Sequence, residues 1–453
     1  MDNTSSQLLQ VRSETCAAVD FLQLHQFFPE RYPFLLESVA HGALGRYDIL
    51  FAFPQDEKAL YSAQAATEFL ADFDRSFKAI NCEQLDSDLP FTGGWFGYFS
   101  YDYAQVVEPS LSLPVSPLPL AILVRVPAAI IYDHQTEQLH FVTEAGYSHL
   151  LDDMQHDFKR IKDNPIQHQK IRIKQHSEEA EKKYLDGIKT IKEYILAGDI
   201  FQVNLSREWQ LQLENDDYVS LYQSLRENNP APFAACVNWG DWQILSSSPE
   251  RLVRYQAPWV ETRPIAGTRK RSKDDTADKA LIEELISHPK EIAEHIMLID
   301  LERNDLGRIC QPGSVEVNEL MGVETYEHVH HIVSNVRGHL KEKMSPLEII
   351  HATFPGGTIT GCPKIRCMEI IAELEKMPRQ AYTGSLGYIN RDGSLDFNIL
   401  IRTILKQHNQ VSFRAGAGIV ADSIPERELE ESRHKAKGML NALTRSKKES
   451  DDE

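Results

Sequence analysis

The spacing of apolar and polar positions changes character near residue 165. Before it come short runs rich in β-branched and aromatic residues, 47–54 (YDILFAFP), 91–100 (FTGGWFGYFS) and 121–132 (AILVRVPAAIIY), which predict strands separated by turns. After it, Tyr184, Leu185, Ile188, Ile191 and Ile195 recur three or four residues apart, predicting an amphipathic helix over 178–198 that ends at Gly198. Helical stretches then alternate with strands at 243–247, 385–390 and 410–414, so the pattern predicts an α+β layered body. The polar, basic stretch 159–177 (KRIKDNPIQHQKIRIKQHS) predicts a linker, dividing a sheet-rich part, 1–165, from a second part, 178–447.

A chain of 453 residues exceeds the ~100–200 of one simple domain, so one large layered body or two fused lobes is expected. Lys and Arg number 48 against 67 Asp and Glu, a net charge of −19 that repels a phosphate backbone and argues against nucleic acid. A small dianionic substrate would be repelled at long range too, so its site must carry local positive charge from a metal or a few Arg and Lys. The six cysteines show no CxxC pair, no apolar run reaches the ~18 residues that span a bilayer, and the N-terminal residues lack a basic start with an apolar core. These features predict a cytoplasmic protein with no membrane contact.

Two segments carry paired carboxylates. Residues 288–301 (HPKEIAEHIMLIDL) place Glu291 and Glu294 on one helix face, and 423–431 (SIPERELEE) open with a capping-box pattern, Ser423 to Glu426, before Glu428, Glu431 and Lys435. Such helices suit one magnesium ion between them, since Mg2+ takes carboxylate oxygens and keeps exchangeable waters. They equally suit a solvated surface. The loop 354–364 (FPGGTITGCPK) has glycines whose backbone can approach an anion, but it is neither a Walker loop nor a dinucleotide fingerprint. In 414–419 (RAGAGI), Gly416 and Gly418 either turn backbone N–H groups toward a carboxylate or form a tight turn at a strand end. The histidines of 327–334 (EHVHHIVS) lack zinc-site spacing.

Eight ordered blocks, GDIFQVNLS (198–206), SSPERL (247–252), TRPIAGT (262–268), AEHIMLIDLERNDLGRI (293–309), HVHHIVS (328–334), FPGGTITGCPK (354–364), LDFNILIRT (395–403) and AGAGIVADS (415–423), together resemble the chorismate-utilising enzymes. A weaker likeness runs through LLESVAHGALGRYD (35–48) and PFTGGWFGYFSYD (90–102). The resemblance implies an α+β fold of two large antiparallel sheets packed face to face with helices outside, 178–447 being the chorismate-binding catalytic domain. It implies Mg2+ held directly by Glu294 and Glu431, with Glu291 and Glu428 holding its waters. By the same resemblance Tyr382, Arg402, Gly416, Gly418 and Lys435 grip substrate carboxylates, with Gly267 and Thr268 in the neighbouring PIAGT motif. His331 and Thr358 lie beside the ring, and Glu250 protonates the departing hydroxyl.

Within the resemblance, Gln202 stands where members that add water carry a lysine base, which points to ammonia as the nucleophile and away from isochorismate and salicylate synthases. FPGG, TGCPK and NPAPF (229–233) resemble the aminodeoxychorismate branch, whereas PIAGT, with Ala266 in place of a nucleophilic lysine, resembles the anthranilate branch as well as a subclass of the former. The expectation is amination of chorismate to 4-amino-4-deoxychorismate for para-aminobenzoate and folate by a noncovalent route through 2-amino-2-deoxyisochorismate, with anthranilate formation as the alternative. With no Cys nucleophile in a GxCxG turn, ammonia is expected from a separate glutamine amidotransferase subunit. Leu36, Glu37, Ser38, Pro232 and Phe233 match the walls of a tryptophan pocket, so a catalytically decayed tryptophan-binding protein is the non-enzymatic rival. All four glutamates being present weighs against decay.

Overall fold

A computed structural model describes residues 8–40, 45–85, 87–161, 169–272, 274–326 and 329–444. Among the described residues, twelve strands form one antiparallel sheet and ten form another. In the first, Leu9–Thr15, Gln138–Glu144, Ala128–Asp133, Tyr47–Ala52 and Phe34–Glu37 continue directly into Phe233–Asn238, Trp242–Ser248, Thr403–Gln407, Gln410–Ile419 and Gln202–Leu213. The second likewise joins Gly94–Phe99 and Ala121–Val126 to Ser385–Asn390, Leu395–Asn398 and Ile265–Lys270. Strands from either side of residue 165 therefore share both sheets.

The two sheets pack face to face through a common core in which Phe34 of one stacks on Phe96 of the other, ring centroids 4.3 Å apart. Their outer faces are covered by helices. Leu150–Ile161, Tyr218–Asn228 and Pro425–Thr444 cover the first sheet, and Ala66–Ile80, Pro289–Ile309 and Pro346–Thr353 cover the second. Burial on both faces explains strands that are apolar throughout: in Tyr47–Ala52, Ile49 and Phe51 face the inter-sheet core while Leu50 and Ala52 face the helices.

Several local expectations need correction. The run 121–132 is not one strand; Pro127, which cannot donate to a ladder, separates Ala121–Val126 in one sheet from Ala128–Asp133 in the other. Of the expected linker, 162–168 lies outside the described residues, and Ile173–Glu178 is a strand pairing with Gln202–Leu213. Its polar sequence reflects an edge position, exposed over 174–177. The Ser423 hydroxyl accepts from the Val420 N–H at 3.1 Å instead of closing the expected capping box. The helix over 181–197 does end at Gly198, whose φ of +83° is the left-handed conformation glycine favours.

Candidate functional site

The site grows from the strand Gln202–Leu213, whose register against Gln410–Ile419 sets Asn204 opposite Gly418 and Ser206 opposite Gly416. Gly416 and Gly418 thus lie inside a ten-residue strand and not in a strand-end turn. Gly418 has a steric reason: a β-carbon there would meet Gln202 Nε2 at 2.2 Å, and that amide donates to Glu294 Oε1 at 3.0 Å on the helix Pro289–Ile309. Gly416 turns its carbonyl to Lys435, whose Nζ lies 3.0 Å from it and 2.9 Å from Glu431. Lys435 therefore reaches both the strand and its own helix, Pro425–Thr444.

The PIAGT motif forms a second wall. Ala266 pairs with Ile332 and Thr268 with His331, leaving Gly267 as an extra, bulged residue with φ +68°. Ala266 is buried and offers no nucleophile. Thr268 Oγ1 meets His331 Nδ1 at 3.0 Å. Burial, with Arg402 nearby, pulls His331 down to about 4, so its ring is neutral at pH 7. Of the other histidines in the segment, His330 bonds to Asp278 at 3.0 Å and Thr325 at 2.9 Å, and His328 lies outside the described residues.

Glu250 follows the strand Trp242–Ser248 and is buried, with Thr358 and the backbone of Ile265 close by. Burial pushes its carboxyl up to about 8, with the charge of Glu302 adding to the effect. Thr358 sits in the short 3-10 turn Gly357–Ile359, where its carbonyl accepts from Asn204 Nδ2 at 3.4 Å. Glu250 Oε1, Thr358 Oγ1, Asn204 Oδ1, Gln202 Oε1 and Glu291 Oε2 are all buried without a hydrogen-bond partner. Buried polar atoms are normally satisfied, so this concentration of unpaired oxygens marks a place where a polar ligand completes the bonding.

Arg402 supplies the matching charge. Among the described residues no carboxylate pairs with it, and burial alone lowers its pKa. Its φ of +50°, and that of +63° at Thr383 beside the buried Tyr382, are strained backbone conformations of the kind held in place at binding sites. Tyr382 lies under the Arg379 guanidinium at 5.5 Å from the ring centroid.

The four glutamates stand on the expected helices but are differently engaged. Glu294 accepts from Gln202, Glu431 pairs with Lys435, and Glu291 pairs with Arg269 at 2.7 Å while its Oε2 stays unpaired. Glu428 is buried. Among the described residues no three His, Cys, Asp or Glu side chains are gathered closely enough to hold a metal ion. The donor type suits a hard cation, and the unpaired Glu291 oxygen is a vacant acceptor. In this arrangement Lys435 and Arg269 supply the positive charge at these carboxylates.

Leu36, Glu37, Ser38, Pro232 and Phe233 meet elsewhere, lining a cavity of about 600 Å3 that includes Arg251 but neither Glu250 nor Arg402. Glu37 there accepts from Tyr222 at 2.6 Å and Arg226 at 2.8 Å, and burial raises it to about 7.

Sequence reasoning passed over Asn204, two residues beyond Gln202 and on the same strand face. That alternation was available as a signal. It also passed over the buried carboxylate Glu375, which holds Ser206 Oγ at 2.8 Å, Arg379 at 2.6 Å and Arg414 at 3.0 Å beneath the strand pair. The Arg379 pair is a local one, four residues apart, but no local motif announces the contacts with Ser206, 169 residues away, and Arg414, 39 residues away.

Residues 33–441 match the model of the chorismate binding enzyme family. The chain belongs to that family. Within it, the chain is 43% identical over 387 residues to aminodeoxychorismate synthase component 1 of Bacillus subtilis, covering 82% of each. It is 38% identical over 467 residues to anthranilate synthase component 1 of Synechocystis, covering 91% of each. The crystal structure of anthranilate synthase component I from Streptococcus pneumoniae superposes with a TM-score of 0.77 at 31% identity, over 88% of this chain and 93% of that one. The family's α+β architecture is therefore the one described above, and no helix among the described residues is long and apolar enough to cross a membrane.

Proposed function

We propose that this chorismate-binding enzyme is an aminodeoxychorismate synthase component I, which replaces the ring hydroxyl of chorismate by an amino group drawn from ammonia. The single observation that carries the reading is Arg402, which no carboxylate among the described residues pairs with, beside the neutral His331. A half-buried cation without a partner is poorly solvated until an anion completes it. A substrate carboxylate does so, with Tyr382, Lys435 and the Gly416–Gly418 strand beside it.

Glu250 donates a proton to the departing hydroxyl, which leaves as water; the nitrogen that bonds to the ring loses a proton in turn, so the exchange of ammonia for water balances. Its raised pKa, about 8, keeps the carboxyl protonated at neutral pH. Thr358 and the neutral His331 flank the ring, and Gln202, fixed by Glu294, leaves its carbonyl free for a nitrogen donor. Glu294 and Glu431 would hold Mg2+, with Glu291 and Glu428 on its waters, and the ion when bound would neutralise a substrate carboxylate and the leaving oxygen. Because Ala266 offers no nucleophile, ammonia itself adds to the ring, giving 2-amino-2-deoxyisochorismate; a second ammonia then bonds at the 4-position as the first amino group, protonated, leaves as ammonia.

The finer choice of product rests on FPGG, TGCPK and NPAPF, and on the 43% identity to the Bacillus subtilis protein. Ammonia comes from a separate glutamine amidotransferase subunit. Six unpaired cysteines suit a reducing cytoplasm. The cavity lined by Leu36, Glu37, Ser38, Pro232 and Phe233 is the proposed tryptophan site, its size and its acidic and basic lining fitting an amino acid.

Incubation with chorismate, magnesium and ammonium, followed by chromatography, decides the product: 4-amino-4-deoxychorismate is expected, and anthranilate as the main product would transfer the chain to the other branch. Intact-protein mass spectrometry of enzyme trapped with chorismate is expected to show no lysine adduct.

A further inference from the structure

One buried guanidinium commits every donor it has. Arg379 is 3% exposed, and its five N–H groups go to five acceptor atoms. Nε and Nη2 donate side by side to Glu375, at 3.0 and 2.6 Å. The other three bonds lead away from that ion pair: Nη2 reaches the Asn204 carbonyl at 2.7 Å, and Nη1 reaches the Ile359 carbonyl at 3.2 Å and Thr383 Oγ1 at 3.4 Å.

Those three acceptors belong to three different walls of the site. Asn204 follows Gln202 by two residues on the strand Gln202–Leu213, and Ile359 follows Thr358 in the turn Gly357–Ile359. Thr383 follows Tyr382 and donates to its carbonyl at 2.5 Å. The Tyr382 N–H donates to the Arg379 carbonyl at 3.0 Å, and the rings of Tyr382 and Tyr101 lie 5.5 and 4.8 Å from the guanidinium. Asp102 fixes the backbone here by accepting the N–H groups of Arg379 at 3.2 Å and Gln380 at 2.9 Å.

Charge balance and reach make different demands on this position. Glu375 also pairs with Arg414 at 3.0 Å, so its carboxylate needs a second cation at 379 but not a planar one. Spanning Asn204, Ile359 and Thr383 does need the planar fork, because the three donors of an ammonium radiate from a single atom.

We infer that Arg379 is a positioning residue for the reaction: by holding Asn204, Ile359 and Thr383 at once, it sets Gln202, Thr358 and Tyr382 at fixed separations around the substrate. With all its donors engaged it has none to offer the substrate itself. This rests on the reading of Gln202, Thr358 and Tyr382 as walls of the chorismate site. Fixed separations matter because a displacement of about 1 Å can cost ~100-fold in rate while the charges that bind substrate stay in place.

The test is Arg379→Lys, which keeps a cation for Glu375 and removes the fork, read as chorismate consumed with magnesium and ammonium saturating, whichever amino product forms. The variant is expected to be folded at the assay temperature, with kcat lowered by roughly 30- to 100-fold and the chorismate KM within about threefold. A kcat within about twofold of the parent would overturn the inference, since an arginine needed only for charge and fold is replaced by lysine. A loss no larger than the unfolded fraction seen by circular dichroism would overturn it too. Should Arg379→Lys fail to fold, amide hydrogen exchange on the parent protein decides. With chorismate and magnesium but no ammonium, segments 202–206, 357–361 and 379–384 are expected to gain protection together, and a gain in fewer than all three would overturn the inference. Thr358→Ala separates the two levels: parent-like turnover there removes the site reading, whereas an inactive Thr358→Ala beside a parent-like Arg379→Lys removes the Arg379 inference alone.

Discussion

A β-carbon built on Gly267 would lie 2.2 Å from Glu291 Oε2, so the bulged glycine of the PIAGT motif and a carboxylate of the first acidic helix occupy one another's space. The glycine at φ +68° thus does two things: it lets the strand bulge, and it leaves room for a carboxylate oxygen that has no hydrogen-bond partner. Gly267→Ala is expected to lose about 1–3 kcal/mol of stability through backbone strain and the displaced carboxylate. Chemical denaturation reads the first effect. A parallel loss of chorismate turnover larger than the stability loss explains would tie Glu291 to the site.

Arg402 makes a prediction in two parts. Arg402→Met removes a half-buried cation that no carboxylate among the described residues pairs with, so the free protein is expected to be about as stable as the parent. Chorismate affinity is expected to fall by roughly 30-fold, about 2 kcal/mol, since the substrate carboxylate loses its fixed guanidinium. Calorimetric binding and thermal melting together check it. Unchanged affinity would place the substrate elsewhere.

Magnesium should be visible without turnover. With about 100-fold excess over its dissociation constant, an ion bound to the native state adds about 2.7 kcal/mol, which raises the melting temperature by a few degrees. Chelation is expected to reverse that shift and abolish turnover, and Glu294→Gln and Glu431→Gln to remove both responses. A magnesium-dependent melting shift that survives both substitutions would exclude these glutamates as ligands.

The Glu375 cluster should matter to stability before chemistry. Burial disfavours its charge, but Arg379 and Arg414 outweigh that and hold the carboxylate down at about 2, below its ordinary 4.5. A carboxylate depressed in the folded state stabilises above pH 4.5, and the contribution disappears as pH falls through about 2. Glu375→Ala leaves two arginines buried without a countercharge and is expected to cost about 3–5 kcal/mol at pH 7. Urea denaturation at pH 7 and at pH 3 checks both size and sign, the difference between variant and parent narrowing at the lower value.

Local pattern and ordered motifs carried much of this molecule. Period-two and period-three-to-four spacing located the strand Ser385–Asn390 to the residue and the helix Glu181–Ala197 to within a turn. Residue type and spacing marked the glutamate pairs, whereas Glu250 and Arg402 were marked only by the resemblance of the ordered motifs to a known family. Spacing could not say which carboxylates were buried. Glu250 and Glu431 are the same residue type, yet one is 5% exposed and its pKa rises to about 8, while the other has a half-exposed side chain paired with Lys435.

What the chain by itself determined was the elements and the kinds of chemistry available: periodicity and side-chain type act within a few residues and need no knowledge of distant neighbours. Only the tertiary structure decided that strands from both parts complete the same sheets, that Gln202 reaches Glu294, and that the glutamates answer to Lys435 and Arg269. Those are contacts between segments far apart in sequence. Desolvation and charge pairing act through space, so their outcome is set by packing and cannot be read from order along the chain.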